Sequence, residues 1–507
     1  MQQGRCKSKP LFIMISWILL CLGFVQGLAH AAQDSTVRVA TRAAFSGTFD
    51  PIKNLSTQEP YLKPIYETLV TLGQDGNLQP LLATSWKHEG LTYSFALRKG
   101  VTFQDGSVFD ANAVVEHFMR GKSTPGPYAA FFANVKSVTA TGDSNVSVVL
   151  NRPYPSFLLQ ITSIPGMIES PKASQKPDFA QKPVGTAPWV LNEDATRRGS
   201  VVVYREYPGY WDKSQQGVGR IEVYQYASEA AKLNSLKSGR IDVAEIQGDQ
   251  VEETKAAGMN VDVALANRWV AFGFFDMEGK LVPAFGDRRV RNAMMMAIDR
   301  KTIAEKLYFG YAVPSVQPYA KDHWAHVPGL DEAFPYDPQQ ARRLLAEAGY
   351  ASGFEFTVPS SPLFKEINEA MAGYLAQVGI KMNVEMVAGS LYAAAKTKKY
   401  PGWLVSFPSI DPDDYPAKHL NEKGPGNFFA WSSPKLEKLA EKTFAAPVDD
   451  LSVRGPAYRD WIDYAVREGY FVGLVIPQQL RATSRRVKRL LWPKGAPYFE
   501  YRGLKLE

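Results

Sequence analysis

Short apolar runs alternate with amphipathic helical patterns along nearly the whole of this 507-residue chain. This alternation predicts an α/β architecture, because all-α and all-β folds carry one periodicity only. At about 100 to 200 residues per domain, the length predicts two to four domains. Strand-like runs occur at residues 37–40, 91–97, 147–150 and 200–204.

Helical patterns are marked by their first residues as well as by their spacing. Residues 110–118 begin with Asp110, a good N-cap. Residues 287–299 place Val290, Ala293, Met294, Ala297 and Ile298 on one stripe, which predicts a single helix. A third helix is predicted from Asp337-Pro338 to a C-cap at Gly349.

The N-terminal segment has the three parts of an export signal. Basic Arg5, Lys7 and Lys9 precede the apolar residues 11–28, and Ala29-His30-Ala31 forms a small-x-small cleavage site. We therefore expect a cleaved signal peptide at residues 1–31 and a periplasmic mature protein. The alternative is an uncleaved membrane anchor. Both cysteines lie in this segment, so the mature chain has no disulfide and no thiol chemistry.

Known catalytic motifs are almost absent. There is no G-x-S-x-G, H-E-x-x-H or strand-linked G-x-G-x-x-G, and Gly121-Lys122-Ser123 lacks the first glycine of a phosphate loop, where Glu116 stands. His323 and His326 have no third ligand nearby, so an exposed loop is favoured over a metal site. The sequence predicts no enzyme, cofactor or metal site. A net charge of +7, three units of it in the signal segment, predicts no nucleic-acid partner.

Aromatic residues make up 12% of the chain, and many lie beside turns. Such residues often line small-molecule clefts, although each one alone is more often part of a core. The acidic turn after Phe407 offers hydrogen-bond acceptors, with a solvated turn as the alternative. The candidate ligand-binding residues are Phe45, Tyr128, Arg268, Trp269, Trp403, Phe407, Asp411, Asp413, Tyr415 and Tyr498.

A series of motifs in order along the chain resembles family 5 of the extracellular solute-binding proteins, the peptide- and nickel-type receptors of ABC importers. The motifs are LATSW at 82–86, LTYSFALRKGVTFQDG at 91–106, FDANAVV at 109–115, PVGTAPW at 183–189, YW at 210–211, LKSGRID at 236–242, RVRNA at 289–293, AIDR at 297–300 and YDP at 336–338. One such match is weak evidence, but so many in family order are strong.

The resemblance implies a two-lobed α/β periplasmic binding protein with a hinge between its lobes. It implies lobe I at residues 32–270 plus 480–507, with a smaller subdomain at about 55–190, and lobe II at 271–479. It also implies a monomer that captures a small solute, a peptide-like molecule, a metal chelate or another organic compound, and delivers it to a membrane permease with its ATPase. In this scheme Gly100, Gly106 and Gly185 occupy turns, and Trp86 and Phe95 fill the core. The alternatives are an exported hydrolase and a sensory or chaperone module without a transporter.

The resemblance also bears on the ligand. Peptide-binding members pair the peptide ammonium with an Asp three residues before an Asp-Pro turn, and here Pro408 stands three residues before Asp411. Free di- and tripeptides are therefore expected to bind poorly unless Asp411, Asp413 or Asp414 replaces that contact. Nickel-type members use an Arg in the first lobe, and residues 163–169 contain none.

Arg268 and Trp269 stand where the family crosses from the first lobe to the second. Arg268 is the predicted cation for a ligand carboxylate or phosphate, and a solvated strand end is the alternative.

Overall fold

The computed structural model describes residues 35–41, 44–226, 228–265, 268–388, 390–408, 420, 422, 426–446 and 451–507. The strands are β1 Thr36–Thr41, β2 Val70–Leu72, β3 Leu78–Pro80, β4 Ala83–Glu89, β5 Thr92–Leu97, β6 Val135–Ala140, β7 Asn145–Leu150, β8 Trp189–Leu191, β9 Val201–Glu206, β10 Arg220–Gln225, β11 Val243–Ile246, β12 Asn260–Leu265, β13 Arg268–Phe274, β14 Ala312–Pro314, β15 Phe354–Ser360, β16 Ile380–Met386, β17 Gly402–Pro408, β18 Phe471–Thr483, β19 Val487–Leu491 and β20 Glu500–Leu506.

Helices lie between and around these strands. The α-helices are α1 Glu59–Leu62, α2 Ala111–Ser123, α3 Ala129–Ala133, α4 Phe157–Gln160, α5 Pro171–Ser174, α6 Glu229–Lys237, α7 Val251–Ala256, α8 Arg288–Met296, α9 Arg300–Lys306, α10 Pro338–Glu347, α11 Lys365–Ala376, α12 Leu391–Lys396, α13 Pro434–Ala445 and α14 Leu451–Arg467. Short 3-10 helices lie at Pro51–Lys53, Ser56–Gln58, Ile164–Gly166, Lys213–Gln215, Gly248–Gln250, Pro283–Gly286 and Pro362–Phe364.

One large sheet runs through the molecule in the order β17-β13-β18-β11-β1-β10-β9-β8, with β12 and β14 also paired to β18. Strand β18 has 13 residues and belongs to both halves of this sheet. Residues 471–477 pair with β13 and β14, whereas residues 478–483 pair with β11 and β12. The chain crosses between the halves along β18 and along β12 to β13.

The hydrophobic cores lie on either side of this crossing. The largest core is built from residues between Trp269 and Ile476, and we call this part lobe II. Three smaller cores draw on residues 37–251 and 480–504, and we call this part lobe I. One of the three surrounds the antiparallel sheet β4-β5-β7-β6, on which α2 packs. Among the described residues, no helix is long and apolar enough to cross a membrane.

The predicted strands and helix starts are confirmed, but the extent of one helix is not. Asp110 accepts a hydrogen bond from the Ala113 amide, and Asp337 accepts one from the Gln340 amide. The prediction of one helix over residues 287–299 is wrong. Helix α8 ends at Met296, because Asp299 caps a second helix by accepting from the Thr302 amide and hydroxyl.

Scaffold positions behave largely as predicted. Phe95 is buried and Trp86 half-buried against the same core. Gly100 and Gly106 have φ angles of 77° and 81°, which suit glycine. A Cβ on Gly185 would lie 2.1 Å from the Ile65 carbonyl oxygen, so the close approach of two chain segments requires a glycine there.

The histidine pair lies in a turn-rich loop, but the prediction that this loop is exposed is wrong. The ring of His323 stacks on Tyr319 at 4.5 Å and on Trp324 at 5.3 Å. The Nδ1 atom of His326 lies 2.9 Å from the Tyr319 carbonyl oxygen. Both rings are half-buried and act as packing groups.

Candidate ligand-binding site

A cavity of about 420 Å³ lies where the chain crosses between the lobes. Protein cavities that hold small organic molecules have volumes of roughly 300 to 1,000 Å³. Its walls come from the end of β1, from β11, from the middle of β18, from the start of β13 and from the loop before β20. The described lining residues are Val39, Ala40, Thr41, Thr57, Pro60, Val243, Ala244, Glu245, Arg268, Leu363, Pro477, Gln478, Gln479, Trp492, Gly495, Ala496, Pro497, Tyr498 and Phe499.

Arg268 supplies the positive charge of the lining. It is the first residue of β13 and is exposed, whereas the rest of that strand is buried. Its guanidinium makes no hydrogen bond or ion pair with the described part of the chain. An arginine in this state can bind a carboxylate or phosphate through two parallel hydrogen bonds.

Another part of the lining is a polar network centred on Gln479. The Gln479 side-chain amide donates to Glu245 Oε1 at 3.0 Å and to the Pro497 carbonyl oxygen at 2.9 Å. Its own oxygen accepts from Arg481 Nη2 at 2.7 Å. The Gln479 side chain thereby joins strands β11 and β18 and the loop at 492–499.

Arg481 lies behind this wall and does not line the cavity. Its Cζ atom lies 3.9 Å from the ring centroid of Trp492, which does line the cavity. Burial lowers the pKa of Arg481 to about 10, opposed by the charges of Asp262 and Glu245. The Asp262 side chain is 71% exposed, and its Oδ2 atom lies 3.6 Å from Arg481 Nη1. The solvated Asp262 charge therefore compensates the buried Arg481 charge poorly.

Apolar groups complete the lining and include one side chain from lobe II. Leu363 is 72% exposed, although it is a large aliphatic residue. It lies in the 3-10 helix that follows β15 and lines the cavity together with Pro60 of lobe I. The cavity therefore offers both an apolar surface and a cation.

The structure brings two of the sequence-predicted residues to this cavity, Arg268 and Tyr498. Trp269 is fully buried instead and packs edge-on against Phe471 at 4.7 Å in the core of lobe II. Trp403 is 7% exposed and packs against Phe275 and Phe428. These two tryptophans are core residues because the strands that carry them, β13 and β17, lie inside lobe II.

Two further candidates pack within lobe I. Phe45 contacts the rings of Phe49 at 4.5 Å and Tyr61 at 5.2 Å. Tyr128 is half-buried between two of the lobe I cores. Neither lines the cavity.

The remaining candidates lie at the end of β17 and in the segment that follows it. Phe407 is a strand residue and the register partner of Trp269. Asp411, Asp413, Asp414 and Tyr415 lie outside the described residues.

A second cluster of charged side chains lies in lobe I and holds chain segments together. Arg120 donates to Glu169 at 2.9 Å and to Asp50 at 2.5 Å. His117 Nδ1 lies 2.8 Å from Glu169 Oε2, and its Nε2 lies 2.8 Å from the Pro165 carbonyl oxygen. Every one of these polar groups is paired, so the cluster is suited to structural support. The described residues contain no group of three or more side chains arranged to hold a metal ion.

Comparison with known proteins decides the family. Residues 77–427 match the family model described as bacterial extracellular solute-binding proteins, family 5 Middle. This chain belongs to family 5 of the bacterial extracellular solute-binding proteins. Members of this family are receptors for solutes and not enzymes, and they act outside the cytoplasm.

Curated relatives of this family 5 chain match it over most of its length. It is 26% identical over 509 residues to the glutathione-binding protein GsiB of Salmonella paratyphi A, covering 94% of this chain and 96% of that protein. It is 27% identical over 426 residues to GsiB of Escherichia coli K12, covering 78% of this chain and 80% of that protein.

Solved structures of similar proteins show the same two-lobed fold. DppA of Helicobacter pylori, in complex with the peptide STSA, matches with a TM-score of 0.77 and 22% identity over 93% of this chain and 98% of that chain. NikZ of Campylobacter jejuni, in complex with Ni(L-His), matches with a TM-score of 0.75 and 22% identity over 92% of this chain and 97% of that chain. The fold expected from the sequence is confirmed.

Several lining residues of the cavity in this family 5 chain were not predicted from the sequence. Glu245 follows the motif at 236–242 by three residues, and Gln479 lies in the long strand β18. Neither has a local signal, since a single Glu or Gln in an apolar strand predicts nothing by itself. Trp492 was detectable only as one more aromatic residue beside a turn.

Proposed function

We propose that this protein is the receptor of an ABC importer, and that it captures a small organic solute bearing a carboxylate in the cavity between its lobes. It binds the solute without changing it and delivers it to a membrane permease that works with an ATPase. Arg268 carries this proposal, because it is exposed, has no hydrogen-bond or ion-pair partner among the described residues, and lines a cavity of the size of a small organic molecule.

The lobe assignment is part of the proposal. Lobe I comprises residues 32–270 and 480–507, with a subdomain at about 55–190, and lobe II comprises residues 271–479. The separate hydrophobic cores support these boundaries, except that Trp269 and Val270 pack with the second lobe. A cavity lined from both sides of such a crossing changes shape when the lobes rotate about β13 and β18.

The N-terminal segment supports the cellular location. We propose that residues 1–31 are a signal peptide removed during export to the periplasm, and that the mature protein is a monomer. The glutathione-binding relatives and the peptide-bound DppA support a peptide-like or other organic acid as the solute class.

Native mass spectrometry of the purified mature protein tests the proposal. A cleft that closes over its ligand retains it, so we expect a bound mass that is released on denaturation and identified as a carboxylic acid. Incubation of the released compound with fresh protein should leave its mass unchanged. Conversion of the compound, with the activity copurifying, would contradict the proposal.

A further inference from the structure

Four residues of the cavity wall are connected to a single buried side chain that does not itself line the cavity. Arg481 donates from Nη2 to Gln479 Oε1, and Gln479 in turn holds Glu245 and the Pro497 carbonyl group. The Cζ atom of the guanidinium also lies over the Trp492 ring, 3.9 Å from its centroid. Strands β11 and β18 and the loop at 492–499 therefore meet at Arg481.

Three contacts agree on the direction of the Gln479 amide, and Arg481 makes one of them. A side-chain amide can present either its oxygen or its nitrogen to a neighbour, and only the hydrogen-bond network selects between the two. Arg481 is a donor only, so it requires the oxygen of Gln479. The amide nitrogen is then directed at Glu245 and at Pro497, both of which accept.

Burial of the charged Arg481 side chain costs free energy of folding. The side chain is 5% exposed, and its Nε atom has no hydrogen-bond partner among the described residues. The Nε1 atom of Trp492 is likewise buried without a partner there. Unsatisfied donors of this kind cost free energy of folding. An apolar residue would pack here at a lower cost, but it would neither orient Gln479 nor stack as a cation on Trp492.

We propose that Arg481 is a positioning residue of the ligand site: together with Glu245 and the Pro497 carbonyl group it fixes the orientation of Gln479, and through Trp492 it holds the 492–499 loop, so that one wall of the cavity is already formed before the solute arrives. This inference rests on the proposed function for the identity of the site. The role inferred for Arg481 differs from that proposed for Arg268, because Arg481 acts through Gln479 and Trp492 and does not touch the solute. A wall organised in advance lowers the ordering cost of binding.

Hydrogen exchange of the ligand-free protein tests the positioning role without any solute. In Arg481→Met, which removes the donors and the charge, we expect the amides of residues 492–499 to exchange roughly tenfold faster than in the wild type. The matched control is Arg454→Met. Arg454 is equally buried and lies over Trp324 and Tyr458 in lobe II, away from the cavity. This control should leave exchange at 492–499 unchanged.

Calorimetric titration provides the second readout, with reduced glutathione and the compound released from the wild-type protein as probes. We expect Arg481→Met to weaken binding roughly tenfold and Arg481→Lys to restore part of it, because lysine also donates to Gln479. Arg454→Met should leave the affinity unchanged even if it lowers the melting temperature.

The possible outcomes separate the two proposals. Unchanged exchange at 492–499 in Arg481→Met, or equal losses of affinity in Arg481→Met and Arg454→Met, would overturn the positioning role. If the wild type binds neither probe, the proposed function fails, whereas the exchange result still decides the role of Arg481. If Arg481→Met does not fold, Gln479→Leu replaces it and should accelerate exchange in the same loop.

Discussion

Arg268 and Pro408 are register partners in the antiparallel pair formed by β13 and β17. Both residues stand out in the sequence for different reasons, and the fold brings them to the same end of the sheet. Arg268 at this end is exposed to the cavity, while the following residues of β13 are buried. A cation with no partner in the described part of the chain and a proline, which has no acceptor side chain, therefore lie side by side at the crossing between the lobes.

Replacement of Arg268 by Ala should weaken binding of the retained solute by about 1.5 to 3 kcal/mol, the range for a hydrogen bond to a charged group. The melting temperature of the ligand-free protein should stay the same, because the guanidinium has no partner among the described residues. Calorimetric titration and thermal unfolding measure the two effects. Arg205→Ala, at an exposed arginine of β9, serves as the control and should change neither. Unaltered affinity in Arg268→Ala would remove this residue from the site.

Blocking the amino group of a di- or tripeptide should not reduce its binding. Pro408 gives β17 no carboxylate for a peptide ammonium, and Gln479 already occupies one oxygen of Glu245. A buried ammonium without a partner costs several kcal/mol, which is a large part of the roughly 8 kcal/mol of micromolar binding. A thermal-shift panel of free peptides, N-acetylated peptides, metal chelates and small cations measures this. Tight binding of free peptides that disappears on acetylation would show that the ammonium is recognised.

The buried pair of His117 and Glu169 should stabilise the fold most strongly in mildly acidic solution. Burial alone would lower the pKa of His117, but the Glu169 carboxylate and the Pro165 carbonyl group outweigh burial and raise it. Burial would likewise raise the pKa of Glu169, but His117 and Arg120 lower it. Both groups are thus charged in the folded state at any pH between the ordinary pKa values of Glu and His.

A group whose pKa is raised on folding stabilises the protein fully below its unfolded pKa and loses that effect as the pH rises through its folded pKa. His117→Gln should therefore cost about 3 kcal/mol of unfolding free energy near pH 6 and less near pH 9. Urea denaturation at the two pH values measures the difference. His88→Gln, outside this cluster, is the control. A cost that grows with pH would contradict the ion pair.

N-terminal sequencing of the protein from the periplasm should begin near Ala32, because the Ala29-His30-Ala31 sequence provides the cleavage site. Recovery of the full-length chain from the membrane fraction would show instead that residues 11–28 act as an anchor.

Much of the fold was predictable because its signals are local. Strand β5 alternates, and Asp110 and Asp337 cap their helices within three residues. The break between α8 and α9 was missed because the apolar stripe continues through Ala297 and Ile298, which are buried in the turn itself.

The site was less predictable because its parts are distant in sequence. Glu245 and Gln479 are 234 residues apart and meet only in the folded sheet. Trp269 looked suitable for a cleft because it follows Arg268, but consecutive strand residues point to opposite faces. One of the two therefore faces the cavity and the other enters the core.

Small-angle X-ray scattering tests the central claim, capture of a solute between two hinged lobes, most directly. Scattering curves of the mature protein are recorded without ligand and with a saturating amount of the compound identified by native mass spectrometry. The account predicts a smaller radius of gyration with the compound bound, because the lobes close over the cavity at Arg268. An unchanged radius of gyration, at a concentration where calorimetry shows full occupancy, would contradict it.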